Sequence, residues 1–97
     1  MTTDLRNHGE DYAVGWGDSH QWTYTLSGDE ADLTWTQTIT TASGVAVEWG
    51  MSRDGDTITA TLTAAAASTI PYGSHTLILR GTGEGVQESF YSRWVVA

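Results

Sequence analysis

The chain has 97 residues, a length that suits one domain with a modest core. Its 12 acidic residues against 4 basic ones, all arginine, give a net charge of −8, which argues against binding to a nucleic-acid backbone. There is no cysteine, which excludes disulfides and thiolate chemistry, and no apolar run long enough to cross a membrane.

The N-terminal segment, residues 1–16, is predicted to be a polar arm or an edge strand ahead of a domain at residues 17–97. It opens with polar residues and lacks the basic and apolar regions of an export signal. It ends in Tyr12, Val14 and Trp16, whose apolar side chains need a surface to cover them. Two interpretations stay open: these three residues bind a neighbouring subunit, or they form the domain's own first strand.

Beyond this segment, apolar and polar residues alternate with a period of two, which places alternate side chains on opposite faces of a strand. The clearest examples are residues 33–40 and 56–63, where threonines occupy the face predicted to be in solvent. Further predicted strands cover residues 20–27, 45–52, 74–81 and 86–97. With a short extra strand at residues 12–16, about six or seven antiparallel strands are predicted.

The segments between these strands contain the residues that tight turns require. Glycine-containing turns are predicted at Ser43-Gly44, Asp54-Gly55 and residues 83–85. Residues 64–73 lack strand alternation and are predicted to form a loop with one helical turn at residues 64–68, which stops before the single proline. Short strands joined by short turns indicate an all-β domain, either a sandwich or a small barrel.

Five tryptophans in a chain of this length are a large aromatic content. Trp22, Trp35, Trp49 and Trp94 fall on the apolar side of their predicted strands, so we expect them in the core, where each ring buries roughly 200 Å². Trp16 lies between two glycines, ahead of the first clear strand. It is the tryptophan predicted to be exposed or to contact a partner.

No motif in the sequence predicts catalysis, a cofactor or a metal. The histidines, His8, His20 and His75, show neither metal-ligand spacing nor a nucleophile–base pattern. Residues 54–56, Asp-Gly-Asp, resemble part of a calcium loop but continue into a strand, so a hairpin turn is the preferred interpretation. The acidic stretch Gly28–Asp32 is interpreted as a solvated loop. The sequence therefore favours binding or assembly over enzymatic activity.

Several short motifs also follow one another in a characteristic order. Gly17-Asp18 precedes the first strand, Ala-Asp-Leu-Thr at residues 31–34 opens the second, and residues 54–63 are followed by residues 70–80. This order resembles the immunoglobulin-like (Ig-like) domain at the N terminus of baseplate upper proteins, and of small tail or virion accessory proteins, of tailed bacteriophages. The resemblance covers residues 17–96, and within this range Trp35 stands where the family usually has glycine.

The resemblance implies an Ig-like antiparallel β-sandwich with a structural role in a virion. Such a module would dock on the tail, baseplate, neck or capsid lattice, with other virion structural proteins as partners and many symmetric copies. The acidic charge and the lack of a long apolar run predict neither a nucleic-acid nor a membrane partner. The protein would be made in the host cytoplasm and carried in the particle.

A second function stays open, namely a β-sandwich module that binds carbohydrate, such as a host-surface glycan. Such modules need two or three exposed aromatic side chains on one face. The candidates in this sequence are Trp16, Tyr12, Tyr72 and Tyr91, which are scattered along the chain.

Overall fold

The computed structural model describes residues 2–4 and 11–97. Within these residues, nine strands form two sheets that make a β-sandwich. The strands are β1 (Thr2–Asp4), β2 (Asp11–Val14), β3 (His20–Thr25), β4 (Thr34–Thr40), β5 (Ala46–Glu48), β6 (Gly50–Asp54), β7 (Thr57–Leu62), β8 (Gly73–Gly83) and β9 (Val86–Val96). A 3-10 helix covers Gly28–Asp32, and a single α-helical turn, α1, covers Ala64–Ala67.

The first sheet has the strand order β1-β3-β7-β6, and the second has the order β2-β9-β8-β4-β5. Neighbouring strands are antiparallel except at two places, where β1 runs parallel to β3 and β2 runs parallel to β9. The prediction of an all-β sandwich is confirmed. The number of strands exceeds the prediction because β1 is added and because residues 45–52 form two strands.

The division of residues 45–52 corrects the sequence analysis, which predicted one strand there. The chain leaves the second sheet after β5 and enters the first sheet at β6, and Trp49 lies at the crossing. The backbone N–H of Trp49 donates a hydrogen bond to the backbone carbonyl of Gln37, while the indole ring of Trp49 is buried in the core. The alternation of residues 45–52 predicts that Val45 faces inward together with Val47, but Val45 is 59% exposed because it lies in the turn before β5 begins.

The core lies between the two sheets and contains the predicted tryptophans. Trp22, Trp35, Trp49 and Trp94 are each 5% exposed or less, whereas Trp16 is 47% exposed. The expected division of the tryptophans into core and surface is therefore confirmed. The alternation of residues 86–97 predicts that Val86 faces inward with Phe90 and Trp94, but Val86 is 50% exposed because it follows directly on the turn at Gly85.

Three of the buried rings form one group, the tryptophan cluster, which consists of Trp22, Trp49 and Trp94. Their ring centroids lie 5.4 to 5.6 Å apart, and each pair is tilted or edge-to-face. Tyr12 packs on the cluster with its centroid 4.7 Å from that of Trp22, and His20 meets Trp94 edge-on at 4.9 Å. Aromatic pairs of this geometry contribute about 0.5–1.5 kcal/mol beyond their buried area.

One polar contact crosses the core between the sheets. Gln37 points inward, as the alternation of β4 predicts, and its Oε1 accepts a hydrogen bond from the Tyr24 hydroxyl on β3. Burial raises the pKa of Tyr24 above its ordinary value, so the hydroxyl stays protonated and remains a donor. The Gln37 Nε2 atom is buried without a hydrogen-bond partner among the described residues.

Candidate binding surface

Trp16 and Tyr72 lie next to each other on the surface, although they are far apart in the sequence. Their ring centroids are 6.4 Å apart, the ring planes differ by 24°, and the rings stack. Trp16 is 47% exposed and Tyr72 is 69% exposed. We call these two residues the aromatic pair. Large exposed aromatic side chains that come together in this way are typical of interaction sites.

The turn that carries Trp16 has a defined conformation. The Asp18 N–H donates a hydrogen bond to the Gly15 carbonyl at 3.3 Å, and Gly17 has a φ of 74°, a value that favours glycine. A Cβ on Gly15 would collide with the Asp18 carboxylate. The Gly-Trp-Gly-Asp sequence therefore combines a tight turn, an exposed indole ring and an exposed carboxylate.

The loop that carries Tyr72 is fixed from both ends. Before it, the Thr63 hydroxyl caps α1 by accepting a hydrogen bond from the Ala66 N–H at 3.2 Å. After it, the buried His75 ring bonds the Pro71 carbonyl at 2.7 Å through Nε2 and accepts from the Ala42 N–H at 3.2 Å through Nδ1. Nε2 is the donor in the Pro71 bond, because Nδ1 is already the acceptor.

The two loops also touch each other. A Cβ on Gly17 would lie 3.3 Å from the Ser68 hydroxyl oxygen, which belongs to the segment that ends α1. The aromatic pair therefore lies on two short loops that hydrogen bonds and close packing hold in place.

The three residues predicted to bind a partner do not share one environment. Tyr12 and Val14 belong to β2, which pairs with β9 from Asp11 opposite Arg93 to Val14 opposite Val96. Both side chains are half-buried and pack against the core, and the Val14 carbonyl accepts a hydrogen bond from the Ala97 N–H at 2.9 Å. Residues 11–14 thus form an edge strand of the domain itself.

Partner binding by Tyr12, Val14 and Trp16 stays a prediction, and only Trp16 of the three presents a largely exposed ring. The predicted arm also includes residues 1 and 5–10, which lie outside the described residues.

The remaining candidates for carbohydrate binding are separated from the aromatic pair. The Tyr12 ring packs against Trp22 of the tryptophan cluster. Tyr91 lies on β9 and is 53% exposed, with its hydroxyl 3.4 Å from the Arg80 guanidinium. Of the four aromatic residues considered, only Trp16 and Tyr72 come together.

No prediction from the sequence placed Tyr72 next to Trp16 or assigned a role to Asp18. A signal was present, because Trp16 and Tyr72 are the aromatic residues that precede a glycine outside the alternating segments, at Gly-Trp-Gly and Pro-Tyr-Gly. Outside an alternating strand, no period of two directs these rings toward the core.

The groups considered for chemistry lie apart. His8 falls outside the described residues, and burial lowers the pKa of His20, an effect that nearby Asp18 partly opposes. Residues 54–56 form the predicted hairpin turn, with Gly55 at a φ of 59°. The stretch Gly28–Asp32 is a 3-10 helix rather than a loop, because Glu30 accepts from the Ser27 N–H at 3.0 Å and caps it.

Across residues 2–4 and 11–97, no three histidine or carboxylate side chains gather where they could hold a metal ion. In the same residues, no helix has the length and apolar character that crossing a bilayer requires.

No model of a known protein family matches the sequence, and no curated protein is similar to it. Solved structures share its fold over nearly the whole chain. The cysteine protease inhibitor EhICP2 from Entamoeba histolytica is 11% identical, with a TM-score of 0.61 over 99% of this chain and 93% of that one. A chimeric titin Z1Z2 is 12% identical, with a TM-score of 0.54 over 93% and 89% of the two chains.

The N-terminal domain of phage TP901-1 ORF48 is also similar, with 9% identity and a TM-score of 0.51 over 98% of this chain and 93% of that domain. At these identities the similarity shows the fold alone: the protein is an Ig-like β-sandwich. An inhibitor, a titin and a phage protein share this architecture, so the fold by itself does not choose among their roles.

Proposed function

We propose that this protein is a structural or accessory protein of a bacteriophage virion. It acts as a small Ig-like module that docks on the tail, baseplate, neck or capsid lattice through contacts with other virion proteins. The observation that carries this proposal is the similarity to a phage domain of the same extent, which covers 98% of this chain and 93% of that domain. The order of short motifs in the sequence supports the same assignment.

Features of the described residues support a binding role rather than a catalytic one. The histidines and carboxylates that could act as bases or metal ligands are spread over separate turns and strands. The aromatic pair is exposed, and two loops of the scaffold fix its position. A net charge of −8 would keep the free protein soluble until it meets its partner.

The proposal is tested on particles purified by density gradient from a host that produces the phage. Mass spectrometry of the particle fraction should find this protein at a fixed ratio to a major structural protein, after washing at high salt. An abundant host protein serves as the control for carry-over. Recovery of the protein only in the soluble fraction would contradict the virion assignment.

A second candidate function is carbohydrate binding, which the exposure of Trp16 and Tyr72 favours. A glycan array probed with the wild-type protein and with Trp16→Ala tests it. Binding that disappears in the variant would support a glycan-binding role. An array without signal would count against that role and favour a protein partner for the aromatic pair.

A further inference from the structure

We propose that Trp16, Tyr72 and Asp18 form a docking surface for a positively charged side chain, preferably arginine, on a partner protein. The inference rests on the proposed function, in which the partner is a protein, and it names the surface and the chemistry that the partner must present.

The aromatic pair supplies the first part of such a site. The face of an aromatic ring attracts a cation through its quadrupole, and a guanidinium group stacks well on indole and phenol rings. Trp16 and Tyr72 already stack with each other, with centroids 6.4 Å apart, so they present one continuous aromatic surface. An arginine placed against this surface would bury exposed ring area, and the ring faces would attract its guanidinium charge.

Asp18 supplies the second part. Its exposed carboxylate belongs to the same turn as Trp16, where the bond from its N–H to the Gly15 carbonyl fixes the backbone. The carboxylate lies next to Gly15, two residues from Trp16 in the sequence of one tight turn. From there it supplies the opposite charge, and it would accept hydrogen bonds from a guanidinium that stacks on the rings.

The protein does not supply a cation to this surface from its described arginines. Arg53 donates to the carbonyls of Gly55, Leu33 and Ala31, whereas Arg80 donates to Ser89 and contacts Tyr91, and Arg93 pairs with Asp11 at 3.5 Å. A second copy of the chain is also a poor partner, because two molecules of charge −8 repel each other. The charge on the surface is therefore complementary to a different, basic protein.

The polar side chains on the two loops favour a cation over a glycan as the occupant. The Ser68 hydroxyl donates to the Ala64 carbonyl at 2.7 Å, and the Thr69 hydroxyl donates to the Ala66 carbonyl at 2.6 Å. Sugar sites combine an aromatic platform with polar groups that are free to bond sugar hydroxyls. Here the Ser68 and Thr69 hydroxyl protons are used to end α1, so these two groups can only accept further hydrogen bonds. The exposed Asp18 carboxylate adds a full negative charge, which favours a cation over a neutral sugar.

The test is an NMR titration of the ¹⁵N-labelled full chain, read at the Trp16 indole N–H. The probe is acetyl-Gly-Arg-Gly-amide, and its matched control contains citrulline, which has nearly the same shape without the charge. We expect the arginine peptide to shift the Trp16 signal with an affinity in about the millimolar range, as one exposed cation–π contact and one exposed ion pair allow. The citrulline peptide should give a much smaller shift.

Variants assign the effect to the surface. Tyr72→Ala should abolish the shift of the Trp16 indole signal. Trp16→Ala lacks that signal, so its titration is followed at the backbone amides of Gly17 and Asp18, where binding should be lost. Asp18→Asn should weaken binding by at least about threefold and remove most of its salt dependence. Tyr91→Ala removes an exposed tyrosine elsewhere and should leave the affinity unchanged. Each variant is first checked for a native spectrum, so a loss of folding is recognised separately.

Equal shifts from both peptides, or no shift at Trp16, would overturn the inference. A shift at Trp16 produced by cellobiose or N-acetylglucosamine and unaffected by Asp18→Asn would overturn it in favour of a glycan site. If the titration fails while the protein is found in purified particles, the virion role stands and this surface is not its docking site. If the titration succeeds while particles lack the protein, the surface stands and the partner lies outside the virion.

Discussion

The tryptophan cluster and the aromatic pair place the same kind of side chain in opposite environments. Trp22, Trp49 and Trp94 lie between the sheets and are at most 4% exposed, whereas Trp16 is 47% exposed and stacks only on Tyr72 among the rings described. The sequence context separates them: the cluster belongs to alternating segments, and Trp16 lies between glycines. The comparison shows that the local chain conformation, not the residue type, decides whether an aromatic ring stabilises the fold or remains available for binding.

The largest expected effect comes from removing a ring of the cluster. Trp49→Ala should lower the free energy of unfolding by about 3–5 kcal/mol, as large-to-small changes in a core do. Stabilities of domains are about 5–15 kcal/mol, and a domain of this length is expected near the lower end, so this loss is most of the total. Trp16→Ala is the matched control and should stay within about 0.5 kcal/mol of the wild type. Urea denaturation measures both, and similar losses for the two variants would remove the distinction.

A substitution of Tyr12 tests whether β2 contributes to the stability of the core, as the tryptophan cluster does. The half-buried Tyr12 ring lies on Trp22 and Trp94, so Tyr12→Ala should cost about 2 kcal/mol in thermal or urea unfolding. Tyr91→Ala, on the exposed face of β9, should cost much less.

Deletion of residues 1–15 extends this test, since a detachable arm could be removed without loss of stability. Because β2 pairs with β9 along four residues, we expect the deletion to destabilise the domain. An unchanged midpoint would restore the arm interpretation.

The contact between Tyr24 and Gln37 tests whether the core also depends on a polar interaction. Tyr24→Phe leaves Gln37 buried without its donor and should cost about 1–2 kcal/mol. Adding Gln37→Leu removes the orphaned amide, so the double variant should be more stable than Tyr24→Phe alone. A double-mutant cycle by urea denaturation gives the coupling, and additive losses would show that the bond contributes little.

His20 gives the smallest expected effect and a pH dependence. Burial against the cluster lowers its pKa below the ordinary 6.5, so the unfolded chain binds a proton at a higher pH than the folded one. The contribution of His20 to stability is therefore present above about pH 6.5 and is lost as the pH falls below that value. His20→Phe should lose less stability than the wild type between pH 7 and about pH 5. Parallel curves for the two proteins would contradict this assignment.

The alternating segments show how far the sequence predicts this fold. The alternation in residues 33–40 and 56–63 predicts both strands and the side chains that face inward, including the buried Gln37. It does so because the period of two fixes the face of each side chain. The sheet change at Trp49 was not predictable from that pattern, since its alternation continues through residues 45–52 while the strand passes from one sheet to the other. Only the pairing of β5 with β4 and of β6 with β7 reveals the crossing.

The candidate surface was predictable only in part. The glycines on either side of Trp16 indicate an exposed ring, but nothing local indicates that Tyr72 stacks on it. That contact depends on the packing of Gly17 near Ser68 and on the anchoring of Pro71 by His75, both of which are tertiary interactions.

The most direct test of the division between core and surface is the incorporation of Trp16→Ala into particles. Under the proposed virion role, the variant is supplied from a plasmid to the phage after deletion of its own copy, with Tyr91→Ala as the control, and the protein per particle is measured by mass spectrometry. The account predicts that Trp16→Ala is folded and soluble but is reduced in particles by at least about tenfold, as the loss of an aromatic hot spot implies. Incorporation of the folded variant at the wild-type level would contradict it.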